Sequence, residues 1–245
     1  NIGQGDSEFV VLPGGVKLLI DGGPPNRKVL QELGKAMPFT DRYIDLVMMS
    51  HPQLDHFGGL VDVLKRYRVG AFLYSGRNGA IQAYADLERA LNDYNVRKVV
   101  LEQGDRIRYG ESIMNIISPK KEFLGSKELN DTSLVVELVS KNTRSLFTGD
   151  IGENIEKELL KFYDTAIDVL KVPHHGSKFS SSDEFLNAIQ PKIAVIGVGK
   201  NSYGHPTKEA LERLGRAGAR IYRTDTDRTV EVFVHGGALG ILKNL

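Results

Sequence analysis

Five of the six histidines in this 245-residue chain lie in three short polar islands, each placed where an apolar, strand-like run ends. The islands are Ser50-His51-Pro52-Gln53-Leu54-Asp55-His56, His174-His175-Gly176-Ser177 and Gly204-His205-Pro206, and Phe147-Thr148-Gly149-Asp150 ends another run in a lone carboxylate. Neutral imidazoles and carboxylates are the ligands that zinc, manganese and iron take, and strand ends can aim them rigidly. The pattern therefore predicts a divalent-metal centre with hydrolytic chemistry. A tight loop can turn His51, Asp55 and His56 to one point, and Gly58-Gly59 lets the backbone pass close by before a helix begins. Asp150 either bridges metals about 3.5–4 Å apart or caps a helix starting near Ile151. An extended backbone points His174 and His175 apart, so one of them is expected to ligate. His205 reads as a ligand, a proton donor to the leaving group or a loop residue, and His235 as a surface residue.

Hydroxyls, cations and aromatic rings surround these positions in Gly176-Ser177-Lys178-Phe179-Ser180-Ser181-Ser182 and again in Lys200-Asn201-Ser202-Tyr203. Such mixtures suit single-stranded nucleic acid, so Ser177, Lys178, Asn201 and Tyr203 are candidate substrate contacts. Ser182 before Asp183-Glu184 equally reads as a helix cap. Gly3-Gln4-Gly5-Asp6-Ser7 lacks the Gly-Lys-Ser ending of a phosphate loop and precedes a strand. It reads as a turn buttressing the site, with Asp6 orienting a metal-bound histidine and Asp21 in a similar supporting role.

The elements that must position these groups alternate. A hairpin over 8–12 and 16–21 precedes helix 26–37, strand 44–49, helix 58–68, strand 70–74, helix 79–94 and strands 97–101, 105–108 and 112–118. A second hairpin, 134–139 and 144–148, leads to strand 167–172, helix 183–190, strand 192–198, helix 207–218 and strands 219–223 and 228–234. Both halves run hairpin, helix, strand, histidine island, which predicts an α/β protein. Its helices lie outside two facing sheets, in one internally duplicated domain spanning 1–245.

Composition is that of a globular domain, 41% hydrophobic and 26% charged with net charge +1, so no global basic field advertises nucleic acid. The absence of cysteine excludes disulfides, thiolate zinc sites and cysteine nucleophiles. No run approaches the roughly 18–20 apolar residues of a membrane span. Starting at Asn1, the chain reads as trimmed from something longer.

Ser50–His56 resembles the His-x-His-x-Asp-His signature of metallo-β-lactamase-fold hydrolases. Asp21-Gly22-Gly23, Thr148-Gly149-Asp150 and Val172-Pro173-His174-His175-Gly176 follow in that family's order. More narrowly, Asn1–Ser7, Asn130–Leu134, Asp168–Ser177 and Tyr203–Pro206 are similar to the soluble domain of ComEC-type DNA-uptake proteins. The resemblance implies a four-layer αββα sandwich and a site holding one or two divalent ions. Asp55, His56, Asp150 and His175 are the better furnished set, with His174 facing substrate. At the other metal position His51 stands, but Gln53 replaces a histidine and Asn130 or Asp131 takes the third place, giving weak oxygen ligands that favour manganese over zinc. The implied function is a metal-dependent phosphodiesterase cutting single-stranded DNA during uptake, with Asp55, His174 and His205 as catalytic residues. The implied location is extracytoplasmic, beside a membrane channel domain of the same parent protein. A phosphocholine-esterase-like enzyme of the cell wall and a DNA-binding module without catalysis are the rival readings.

Overall fold

The structure, a computed structural model, describes residues 1–162, 165–235 and 237–243. The chain opens with β1 (Glu8–Val11), β2 (Lys17–Ile20), α1 (Lys28–Ala36), β3 (Tyr43–Met48), α2 (Leu54–Phe57), α3 (Leu60–Arg66), β4 (Arg68–Tyr74), α4 (Gln82–Asp93) and β5 (Arg97–Val100). These five strands lie side by side in chain order, the first pair antiparallel and the rest parallel. There follow β6 (Arg106–Tyr109), β7 (Ser112–Ser118), β8 (Val135–Ser140), β9 (Thr143–Phe147), α5 (Glu153–Leu159) and β10 (Val169–Lys171). Then come α6 (Asp183–Ile189), β11 (Ile193–Ile196), α7 (Lys208–Arg216) and β12 (Arg220–Arg223). They build a seven-stranded sheet in the order β12-β11-β10-β9-β8-β7-β6. After α8 (Thr224–Asp227), β13 (Val230–His235) and β14 (Ala238–Lys243) form a separate hairpin.

Side chains alternate across a strand, so each sheet offers two apolar faces. Leu18, Ile20, Met48 and Leu73 of the first sheet meet Met114, Ile116, Val136 and Leu138 of the second in a core between the sheets. The opposite faces are covered by helices. Leu19, Val47 and Phe72 pack with Leu33, Leu60, Leu64 and Leu87, while Leu146, Leu170 and Ala194 pack with Ile155, Phe185, Leu186 and Leu214. The result is the four-layer αββα sandwich expected from the sequence. Strands covered on both faces read as continuous apolar runs, which is why β3 and β10 stand out in the sequence.

Two expectations are corrected. The helix placed at 58–68 begins earlier, because α2 already winds through Asp55 and His56. The strand β14 was not expected; its Gly240 lies beneath the Phe233 ring, where a Cβ would sit 2.3 Å from that ring. Gly59 is where close approach decides the fold: a Cβ there would lie 2.1 Å from the Gly22 carbonyl oxygen, and Gly59 N–H donates to Gly23 O at 2.8 Å. Gly59→Ala is expected to destabilise the protein by about 3 kcal/mol in urea denaturation. Unchanged stability would mean that the two segments part freely.

Candidate metal centre

The parallel strands β2 and β3 of one sheet and β9 and β10 of the other end at a common edge, and their next residues carry Asp21, His51, Asp150 and His175. Leu134 N–H donating to Ser50 O at 2.9 Å ties the sheets there. Asp21 organises the first island: its Oδ1 accepts from Ser50 N–H at 2.8 Å and its Oδ2 accepts from Ser50 Oγ at 2.6 Å. His56 Nδ1 stands 2.8 Å from that same Oδ2. With the Ser50 hydroxyl hydrogen committed to Asp21, the 3.0 Å contact with His51 Nδ1 is an imidazole N–H donating to Ser50 Oγ. His175 Nδ1 donates to Gly197 O at 2.8 Å, with Asp6 Oδ1 3.3 Å away. All three rings are thus held by Nδ1, which turns Nε2 towards a common point.

At that point Asp150 Oδ2 lies 3.2 Å from His56 Nε2 and 3.4 Å from His175 Nε2, and Asp55 Oδ2 is 3.4 Å from His175 Nε2. The His51 ring centroid is 4.1 Å from that of His56. The three Nε2 atoms and Asp150 Oδ1 are buried without a hydrogen-bond partner. Unpaired buried groups of this kind carry a desolvation penalty, and imidazole nitrogens gathered around a buried carboxylate fit a divalent cation. One donor atom each from Asp6, His56, Asp150 and His175 also falls within 4.8 Å of the others. Asp6, however, sits on the Nδ1 side of His175 and pairs with buried Lys171 at 2.5 Å, so it orients the ring while Asp55 and Asp150 face Nε2.

The electrostatics agree. Burial pulls His56 down, but Asp150 and Asp21 outweigh it and lift the imidazole well above its ordinary value. Burial acts against His175 too, and Asp150 with Asp6 raises it to about 10. Burial opposes ionisation of Asp150, yet the two imidazoliums hold it well below the usual carboxylate range. His51 is driven down to about 4 by burial and by His56. Without a metal, positive charge collects as protons on the two rings that Asp150 touches.

The remaining candidates divide. Asp150 caps no helix: α5 starts at Glu153, with Gly152 at its cap. His174 and His175 are not extended; both are left-handed at φ 51 and 53, which turns His175 inward and leaves His174 half-buried at the mouth. His174 meets His205 edge-on at 5.6 Å, and Tyr203 stacks on His205 at 5.8 Å. Gln53 and Asn130, expected as weak ligands, bind each other, Gln53 Nε2 donating to Asn130 Oδ1 at 2.6 Å. Ser177 is buried and its Oγ accepts from Phe179 N–H at 3.2 Å, so it does not face substrate. Asn201 is likewise used internally: Nδ2 donates to Gly199 O and His205 O, and Oδ1 accepts from Tyr203 and His205 N–H. Lys178 and Tyr203 are exposed. Ser182 caps α6, accepting from Phe185 N–H at 3.2 Å. Lys171 and Ser50 join the site without having been among the candidate residues. A lysine closing the buried run Asp168–Val172 and a serine preceding His51 were the available signals.

A two-sheet sandwich with a histidine–carboxylate group at the strand ends is a metallo-hydrolase architecture. A model of the metallo-β-lactamase superfamily matches residues 2–200, and the chain belongs to that superfamily. It is 31% identical over 252 residues to ComE operon protein 3 of Bacillus subtilis, covering 94% of this chain and 32% of that protein. To competence protein ComA of Neisseria gonorrhoeae it is 30% identical over 189 residues, covering 75% and 24%. The chain thus spans a third or less of the length of these relatives. Among solved structures, Igni18, a metallo hydrolase from Ignicoccus hospitalis, superposes with TM-score 0.61 at 14% identity, covering 100% of this chain and 98% of that one. No helix among the described residues is long and apolar enough to cross a membrane.

Proposed function

We propose that the chain is a metal-dependent phosphodiesterase that cuts single-stranded DNA, acting outside the cytoplasm as the nuclease domain of a DNA-uptake protein with a membrane channel. The convergence of three unpartnered imidazole Nε2 atoms with Asp150 carries the metal-dependent part of this reading. The likeness to a competence protein supports the DNA part. Asp55, His56, Asp150 and His175 hold the ion, zinc or manganese, with His51 beside them; Asp6 and Asp21 set the ring orientations. A divalent ion held there lowers the pKa of water and neutralises phosphate oxygens. Asp55, partly exposed, takes the proton of the attacking water. As water's oxygen bonds to phosphorus, the bond to the leaving sugar oxygen breaks, and His174 or His205 gives that oxygen a proton. Burial lowers the pKa of both, with His174 adding to the shift at His205, so the proton-bearing forms decline as the pH rises towards neutrality. Lys178 and Tyr203 contact the strand.

Manganese or zinc titrated against a single-stranded oligonucleotide tests the reading: cleavage should depend on metal and vanish in Asp55→Ala. Tight DNA binding without cleavage under either metal would sink it, as would hydrolysis confined to small phosphodiesters. His205→Ala is expected to slow DNA cleavage about a hundredfold while sparing bis(p-nitrophenyl) phosphate, whose leaving group needs no proton. Equal losses on both substrates would count against a proton-donor role for His205.

A further inference from the structure

The mouth of the centre has an aromatic side and an acidic side. On one side, aromatic surface runs inward from Tyr203, 73% exposed, through His205 to His174. Lys200, exposed, precedes Tyr203 by three positions in the same loop. The Gly199 and Gly3 backbones touch, so that a Cβ on Gly199 would lie 2.4 Å from the Gly3 carbonyl carbon, and a Cβ on Gly3 would lie 3.7 Å from Lys28 Nζ. On the other side, a cleft of about 370 Å³ opens against Asp150 and His174. Phe179, 67% exposed, lines it together with the carboxylates of Glu128, Asp131 and Glu153. Asp131 accepts from Ser126 Oγ and Asn154 Nδ2, both at 2.7 Å. Among the described residues no hydrogen bond or ion pair engages the carboxylates of Glu128 and Glu153. Asp150, whose Oδ1 is buried and unpartnered, is among the residues lining this cleft.

A strand passing right through would bring its phosphates among these carboxylates, and each close like-charge pair opposes binding. A terminal nucleoside meets no such repulsion. Lys178 Nζ lies over one face of the Phe179 ring, 5.0 Å from its centroid; the base of a terminal nucleoside can stack on the opposite face, and a free sugar hydroxyl can donate to Glu128 or Glu153. We propose that the centre works from strand ends: the strand body crosses the Tyr203–Lys200 side, and a hydroxyl-ended terminal nucleoside occupies the acidic cleft. This rests on the phosphodiesterase reading above and adds the mode of attack and the terminus it accepts.

The test uses one single-stranded DNA sequence in linear and ligated circular form, the linear form carrying either hydroxyl or phosphate at each end in turn, with manganese. The circle should be cut at least about tenfold more slowly than the linear strand, and phosphate at one of the two ends should slow cleavage about tenfold. A Glu128→Gln/Glu153→Gln variant should narrow that phosphate penalty to threefold or less, a change that a merely structural role would not produce. Equal rates on circle and line, or indifference to phosphate at both ends, would overturn end-dependent attack while leaving the phosphodiesterase reading intact. Cleavage of neither form under any metal would overturn both.

Discussion

Asp150→Asn is expected to lower metal affinity at least about a thousandfold and to abolish metal-dependent activity, with the fold retained. The asparagine keeps the shape but removes the charge standing 3.2 and 3.4 Å from the two Nε2 atoms. The effect has a pH signature. His56 and His175 hold protons in the metal-free centre, so metal uptake must expel them and apparent affinity must fall as the pH is lowered. The metal-free protein behaves in the opposite sense. His175, lifted from 6.5 to about 10, contributes stability that is complete below 6.5 and is lost as the pH rises towards 10. In the variant the principal charge raising His175 is gone, so that loss should be smaller and end at lower pH. Calorimetric titration in buffers of different ionisation enthalpy reads both the affinity and the protons released. Retention of metal within tenfold of the parent would remove Asp150 from the ligand set.

The second large effect is a gain. His51 Nε2 is buried without a partner, and the amides of Gln53, two residues on, and Asn130 hold each other at 2.6 Å. This pairing closes a position that imidazoles could fill. The parent chain is expected to take up about one metal, and Gln53→His/Asn130→His about two, measured by elemental analysis after dialysis. The new ligands would share Asp150 with the first ion and recruit His51. Two tightly held metals in the parent would show that the amide pair opens and ligates. One metal in the double variant would mean that His51 serves the existing site alone.

The layered fold could be read from particular segments. Leu46-Val47-Met48 and Val169-Leu170-Lys171 announce buried strands, and polar islands at their ends announce a centre. His56 and His51 were legible because a strand end fixes where the next few residues go. Ser177 and Asn201 were not. Composition favours a hydroxyl and an amide near phosphate, but direction is set by left-handed turns at His174, His175 and Ser181 and by Gly199 meeting Gly3. Nor could sequence pair Gln53 with Asn130, 77 positions away, because that contact exists only once the two sheets face each other. Phe179 was read as a stacking ring, but the carboxylates sharing its cleft come from segments remote in the chain.

The ligand atoms are divided between the sheets: His51 and His56 follow β3 of the first, Asp150 and His175 follow β9 and β10 of the second. Each sheet has its own helix-covered core, and a third apolar layer lies between the two sheets. An ion bound there would act as a rivet between the two halves. Loading it should slow amide hydrogen exchange in β3 and β10 together, making the metal a gauge of whether the halves open separately or as one.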